Sequence, residues 1–225
     1  MELTQLSKEQ TRETIAKRAA KEFKEGDIVT LGIGLPTLVA NYVPESLGIM
    51  FQTENGLLGV GKSLTCERAD KRVTNAGGAC VDTVQGACFY DSQTAFMMMR
   101  GGHTDVTVLG ALQVDQEGSL ASWMIPGKLI PGMGGSMDLI IGAKKVIVAM
   151  EHTSKDEIKI VKKCTLPLTA YQEVDLIITE KCVFKVETQG LVLVEINPLF
   201  SLDDIKATTD ADFVISPDLK NMEQA

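Results

Sequence analysis

Asp27-Ile28-Val29-Thr30-Leu31-Gly32-Ile33-Gly34-Leu35-Pro36-Thr37 reads as a buried strand, a glycine loop and the approach to a helix expected over residues 38–43. The β-branched run Ile28-Val29-Thr30 favours the strand, and Gly32 and Gly34 end it where the backbone turns. Upstream, Ser7-Lys8-Glu9-Gln10 has capping-box spacing, and Ile15, Ala19 and Phe23 recur at helical spacing toward Gly26. Downstream, Asp91-Ser92 caps a helix through Met99 that stops at Gly101-Gly102, and Met97, Met98 and Met99 are expected in the core. Residues 106–109, 145–150 and 176–179 read as buried strands, and 183–186 with 191–195 as a hairpin around Thr188-Gln189-Gly190. A helix over 202–208, a strand over 213–215 and a frayed tail from Lys220 close the chain. This alternation predicts one α/β domain over residues 1–225, an open and mostly parallel sheet flanked by helices, with glycine loops gathered at the carboxyl ends of its strands.

Composition narrows the class. With 225 residues, 44% of them hydrophobic, the chain can bury a large core, yet it has no apolar stretch near the roughly 18 residues of a membrane span. A formal net charge of -8 speaks against a nucleic-acid or anionic-membrane surface. Cys66, Cys80, Cys88, Cys164 and Cys182 form no Cys-x-x-Cys pair, so reduced thiols, no disulfide and a cytoplasmic location are expected. His103 and His152 have no ligating neighbour in sequence, so no metal site is expected and both read as structural.

Chemistry concentrates at Thr53-Glu54-Asn55-Gly56-Leu57, which follows the apolar run 48–52. A strand ending in a tight turn lifts one side chain out of the sheet, and here that side chain is the Glu54 carboxylate. Asn-Gly between apolar runs is also an ordinary hairpin signal, which would leave Glu54 an exposed turn residue. A second dense segment, residues 125–138, carries Pro126, Gly127, Pro131, Gly132, Gly134 and Gly135, too patterned for a flexible linker.

Phe51-Gln52-Thr53-Glu54-Asn55-Gly56-Leu57-Leu58-Gly59 resembles the active-site signature of the beta subunit of class I coenzyme A transferases, with Thr53 where the family usually has Ser. The resemblance extends to Leu31-Gly32-Ile33-Gly34-Leu35-Pro36-Thr37, Asn75-Ala76-Gly77, Ile125-Pro126-Gly127-Lys128, Gly132-Met133-Gly134-Gly135-Ser136-Met137-Asp138-Leu139 and Cys164-Thr165-Leu166-Pro167-Leu168-Thr169. Ser136 stands where Ala is usual. It implies a fold of the coenzyme A transferase type, Glu54 as covalent nucleophile and Gly135 as oxyanion donor. Asn55, Gly56, Gly32, Gly34, Gly77, Met133 and Gly134 would contact acyl-CoA or shape the pocket, and Lys62, Lys71, Arg72 and Arg100 are candidates for the CoA phosphates. CoA would be substrate rather than cofactor. The partner implied is an alpha subunit, in a heterotetramer of two alpha and two beta chains acting on short-chain carboxylic acids such as acetate, butyrate or acetoacetate. A noncatalytic CoA-ester-binding subunit and a sugar-phosphate isomerase of related fold are the other readings.

Overall fold

Ser7 opens the first helix as its spacing predicts: its hydroxyl accepts the Gln10 N–H at 3.2 Å, and the Gln10 side chain accepts the Ser7 N–H at 2.8 Å. The computed structural model describes residues 6–222 except 66, 68, 129–131 and 155–156, so Cys66, Pro131 and the end of the tail lie outside the described residues. Helix α1 spans Lys8–Ala20 and stops short of Gly26, with Phe23 packed beneath the turn that follows. The strands are β1 (Ile28–Leu31), β2 (Met50–Thr53), β3 (Leu57–Ser63), β4 (Val81–Phe89), β5 (Thr104–Leu109), β6 (Gln113–Asp115), β7 (Leu120–Ala121) and β8 (Ala143–Ala149). They continue with β9 (Thr153–Ser154), β10 (Glu157–Ile158), β11 (Ile160–Val161), β12 (Leu176–Ile178), β13 (Cys182–Glu187), β14 (Gly190–Ile196) and β15 (Phe213–Asn221). Three further helices are α2 (Ser92–Arg100), α3 (Ser136–Ile141) and α4 (Leu202–Ala207).

Ten strands form one open sheet in the order β15-β14-β13-β12-β8-β5-β1-β2-β3-β4. Its centre, from β12 to β2, is parallel; β3 and β4 extend it antiparallel at one end, and at the other β13 and β14 add an antiparallel hairpin to which β15 pairs in parallel. One face buries Ile15, Ala19 and Val39 against Val29, Val106 and Ile147. The opposite face buries Met99, Ile140 and Ile205 against Leu109, Val148 and Phe184. Arg18 of α1 pins its layer to the sheet through a bidentate pair with Glu195, both contacts 2.7 Å, while Glu22 joins Arg18 to Lys145. Because β1 leads to β2 on one side and β5 returns to its other side, all three running parallel, the order in which strands are added reverses there. The loops after β1 and β5 part at their carboxyl ends and open a crevice.

Four expectations are corrected. The helix after the first glycine loop is a 3-10 helix over Leu35–Tyr42, beginning earlier because Pro36 presets the first turn. Met99 is buried, but Met97, two residues earlier, faces solvent at 64% exposure, since residues two apart on a helix point to different sides. β15 runs past residue 215, pairs Lys220 and Asn221 with β14, and is followed by a buried Met222, so the chain through 222 is held by the sheet. Cys80 is disulfide-bonded, against the expectation of reduced thiols, while Cys88, Cys164 and Cys182 are free. Cysteine spacing alone does not reveal such a pair, because its geometry is set by the fold. No helix among the described residues is long and apolar enough to cross a membrane, and no metal-ligating cluster occurs among them.

His152 is fully buried between Thr179 and Thr209, whose hydroxyls lie 2.9 and 3.0 Å from its ring nitrogens. Burial, with Lys181 and Lys159 nearby, pushes its pKa from 6.5 down to about 3. The native ring therefore stays neutral while the unfolded chain takes up a proton below pH 6.5. Stability contributed by this group is complete above that value and falls by up to about 1.4 kcal/mol per pH unit on acidification toward pH 3. Urea unfolding at pH 7.5 and pH 5 should show this loss, and His152→Gln should flatten the slope between them. An unchanged slope in the variant would assign the acid sensitivity to other groups.

Candidate active site

Glu54 is the first residue of the turn between β2 and β3. The Gly56 N–H closes that turn on the Thr53 carbonyl at 3.1 Å, and the Thr53 hydroxyl donates to the Leu57 carbonyl at 3.3 Å. Register then decides what lies beside it. β3 and β4 pair Leu57 with Phe89, which sets Tyr90 against Gly56; the Tyr90 N–H donates to the Gly56 carbonyl at 3.0 Å. Gly56 has φ +102°, and a Cβ there would overlap the Tyr90 carbonyl oxygen. Only glycine fits both the backbone and the space. The Glu54 side chain is half-buried and has no hydrogen-bond or ion-pair partner among the described residues. It is the one group at the tip of this rigid turn that is uncommitted.

Asn55 points the other way: its Nδ2 donates to the Thr74 carbonyl at 2.9 Å, tying the turn to the 75–77 loop. There Asn75 Oδ1 accepts the Gly77 and Ala79 N–H groups, both at 3.0 Å, and a Cβ on Gly77 would sit 3.8 Å from Ile33. Gly32 donates its N–H to the Val108 carbonyl at 2.8 Å, and Gly34 has φ +96° at the entry to the 3-10 helix. These three loops, from β1, β2 and the 75–77 segment, enclose a cavity of about 70 Å³ walled by Leu31, Ile33, Phe51, Thr53, Asn75 and Gly77. That is well below the roughly 300–1,000 Å³ of a pocket that encloses a drug-sized ligand, and suits a group of a few atoms. Past Ile33, a recess of about 360 Å³ opens over the ends of β5 and β8, with Lys8, Glu151 and Lys159 on its walls. Burial pushes Lys159 down to about 8, against the pull of Glu151 and Glu180.

Of the predicted site residues only Gly77 walls the small cavity; Glu54, Asn55 and Gly56 lie beside its Thr53 wall, Gly32 and Gly34 flank its Leu31 and Ile33 walls, and Met133, Gly134 and Gly135 are not among its walls. Gly135 caps α3, and a Cβ on it would come within 2.9 Å of the Phe96 ring in α2. Phe96 follows Ala95, whose carbonyl accepts from Gln52 of β2 at 3.5 Å, so α2 is the element that links the 133–135 loop to the Glu54 strand. A substituent at Gly135 would meet Phe96 before reaching any open space. Of the four cations considered for phosphates, Lys62 pairs with Glu45, Arg72 with Asp70 and Arg100 with Asp138, at 3.0, 2.6 and 2.6 Å. Lys71 is exposed. Sequence reading did not single out Tyr90 or Gln52. Tyr90 reaches the turn only through β3–β4 pairing, whereas Gln52, two positions before Glu54 on a strand, carried a period-two signal.

Residues 12–208 match the coenzyme A transferase family. The beta subunit of acetate CoA-transferase from Haemophilus influenzae is 51% identical over 213 residues, which cover 94% of this chain and 95% of that one. The beta subunit of acetate CoA-transferase from Escherichia coli K12 is 48% identical over 209 residues, 92% of this chain and 95% of that one. The solved acyl-CoA transferase apoenzyme from Escherichia coli O157:H7 superposes with a TM-score of 0.76 at 25% identity, covering 98% of this chain and 44% of that one. This chain belongs to the coenzyme A transferase family, as a beta-type subunit of a transferase.

Proposed function

We propose that Glu54 is the nucleophile of a ping-pong transfer of CoA from a short-chain acyl-CoA to a free carboxylic acid. The observation that carries this is the uncommitted carboxylate on a turn whose every other residue is tied down. A Glu54 oxygen attacks the thioester carbonyl, and CoA leaves as thiolate to give an acyl-glutamyl anhydride. The thiolate then attacks the Glu54 carbonyl, the first acid departs as carboxylate, and CoA remains as a glutamyl thioester until a second acid reverses both steps. Each addition builds an oxyanion, for which the Gly135 N–H is the proposed donor; a single such donor is worth on the order of a hundredfold to a thousandfold in rate. Asn55 and Gly56 hold the nucleophile's turn. Gly77 borders the proposed acyl site, Gly32 and Gly34 shape the loop that carries its Ile33 wall, and Met133 and Gly134 carry Gly135.

The small cavity beside Thr53, with room for a few atoms between mixed polar and apolar walls, supports a short acyl group such as acetyl, butyryl or acetoacetyl. An alpha subunit is the proposed partner, in a heterotetramer of two alpha and two beta chains. Support comes from the naming of the relatives as beta chains, and from the CoA-phosphate candidates Lys62, Arg72 and Arg100, which already pair with carboxylates of this chain. A cytoplasmic location goes with this reading, with Cys88, Cys164 and Cys182 free and the Cys80 disulfide set against it. The test is mass spectrometry of the chain co-expressed with its partner and incubated with acetyl-CoA or acetoacetyl-CoA. A CoA adduct mapped to Glu54, or its alcohol after borohydride, is expected. A folded, complete assembly that transfers CoA without any adduct at Glu54 would refute the assignment.

A further inference from the structure

Beneath the Glu54 turn lie two sequestered side-chain oxygens without a hydrogen-bond partner, Gln52 Oε1 and the Tyr90 hydroxyl. Gln52 is 2% exposed; its Nε2 reaches the Ala95 carbonyl only at 3.5 Å, and its Oε1 is sequestered without a partner. The Tyr90 hydroxyl is sequestered and unpartnered as well. The two side chains face each other: burial and the Cys88 thiol raise the Tyr90 pKa, and the Gln52 amide opposes them. Their backbones grip the turn from opposite sides, Gln52 through β2 and Tyr90 through its contacts on both sides of Gly56. An unmade buried hydrogen bond carries the full desolvation penalty of both groups, whereas Leu and Phe at these positions would carry none. Such a pair is explained when another state of the protein completes it.

We propose that Gln52 and Tyr90 are positioning residues whose hydrogen bond, Tyr90 O–H to Gln52 Oε1, forms when the Glu54 turn resettles around the covalent intermediates. The inference rests on Glu54 being the nucleophile. Gln52 backs the small cavity with its Oε1 sequestered, and Tyr90 is not on the cavity walls, so both act through the turn rather than on the reacting atoms. The bond is unmade in the unliganded chain and is made on the way to the anhydride and thioester, so it lowers the barrier to forming them rather than strengthening substrate binding. Loss of one such bond is expected to lower kcat about tenfold while KM stays within about twofold.

The test compares Tyr90→Phe, Gln52→Leu, the double variant and Thr30→Val in the assembled enzyme. Thr30 pairs in register with Gln52 and has its own buried, unpartnered hydroxyl, so it controls for removal of any polar group from this layer. The expected result is a tenfold fall in kcat for each single variant, no further fall in the double variant, an unchanged or higher Tm, and wild-type kcat for Thr30→Val. Wild-type kcat in Tyr90→Phe, losses that multiply in the double variant, or a fall in kcat shared by Thr30→Val would overturn the proposal. Should Gln52→Leu fail to assemble, Tyr90→Phe decides, because it removes a single oxygen. Adduct mapping of the wild type runs alongside. No adduct at Glu54 removes the reading on which the pair depends, whereas an adduct with unaffected variants removes the pair alone.

Discussion

Glu54→Gln is expected to abolish CoA transfer, a loss on the order of 10⁴-fold or more, while leaving the fold untouched. An amide cannot form the anhydride, so the first covalent step is missing rather than slowed. The structure adds the second half of the expectation. The Glu54 carboxylate has no hydrogen-bond or ion-pair partner among the described residues, so its neutralisation leaves no group unpaired. Thermal stability should stay within about 0.5 kcal/mol of wild type, as for an ordinary surface change. Glu54→Asp keeps the charge and withdraws it by one methylene, and it too should fail, because a misplacement of about 1 Å costs on the order of a hundredfold. Steady-state transfer rates with melting curves on the same preparations check both. Appreciable turnover by Glu54→Gln would return Glu54 to a plain turn residue and favour a chain that only binds CoA esters.

The second large effect belongs to Gly56. At φ +102°, an added side chain meets roughly 1–3 kcal/mol of backbone strain, and its Cβ would also occupy the position of the Tyr90 carbonyl oxygen. Tyr90 cannot step aside, since its N–H is bonded to the Gly56 carbonyl and the next residue, Asp91, caps α2. Gly56→Ala should therefore displace the Glu54 tip, cut kcat by on the order of a hundredfold and lower the Tm. Gly34→Ala is the informative contrast. Gly34 has φ +96° but open space where the Cβ would go, so it should show the strain without the collision. Equal stability loss in the two variants would mean that Tyr90 yields, and that the turn is not built against its backbone.

The difference between those two glycines shows what sequence could convey. Elements whose signals are local were legible: the capping box at Ser7, the Asp91 cap of α2 with its 2.7 Å bond to the Thr94 N–H, the β1 strand feeding a glycine loop, and the hairpin turning at Gly190 with φ +113°. Elements that depend on distant partners were not. β3 and β4 have no clear apolar alternation, because β4 is an edge strand exposed over most of its length. β15 is held beyond residue 215 by β14, and the Cys80 bond depends on a fold-imposed approach.

By itself, the sequence determined the class of fold, the order of its main elements, the family and the glycine turn that carries Glu54. Each of these is carried by residues close together in the chain, through caps, periodicity and motif spacing. Tertiary structure alone decided which loops meet around the small cavity beside Thr53, and that Gly56 is locked by a backbone carbonyl 34 positions away at Tyr90. It also decided that α2 stands between Gly135 and the Glu54 strand. Those facts depend on strand register and sheet order, and nothing local encodes which strand will lie beside which.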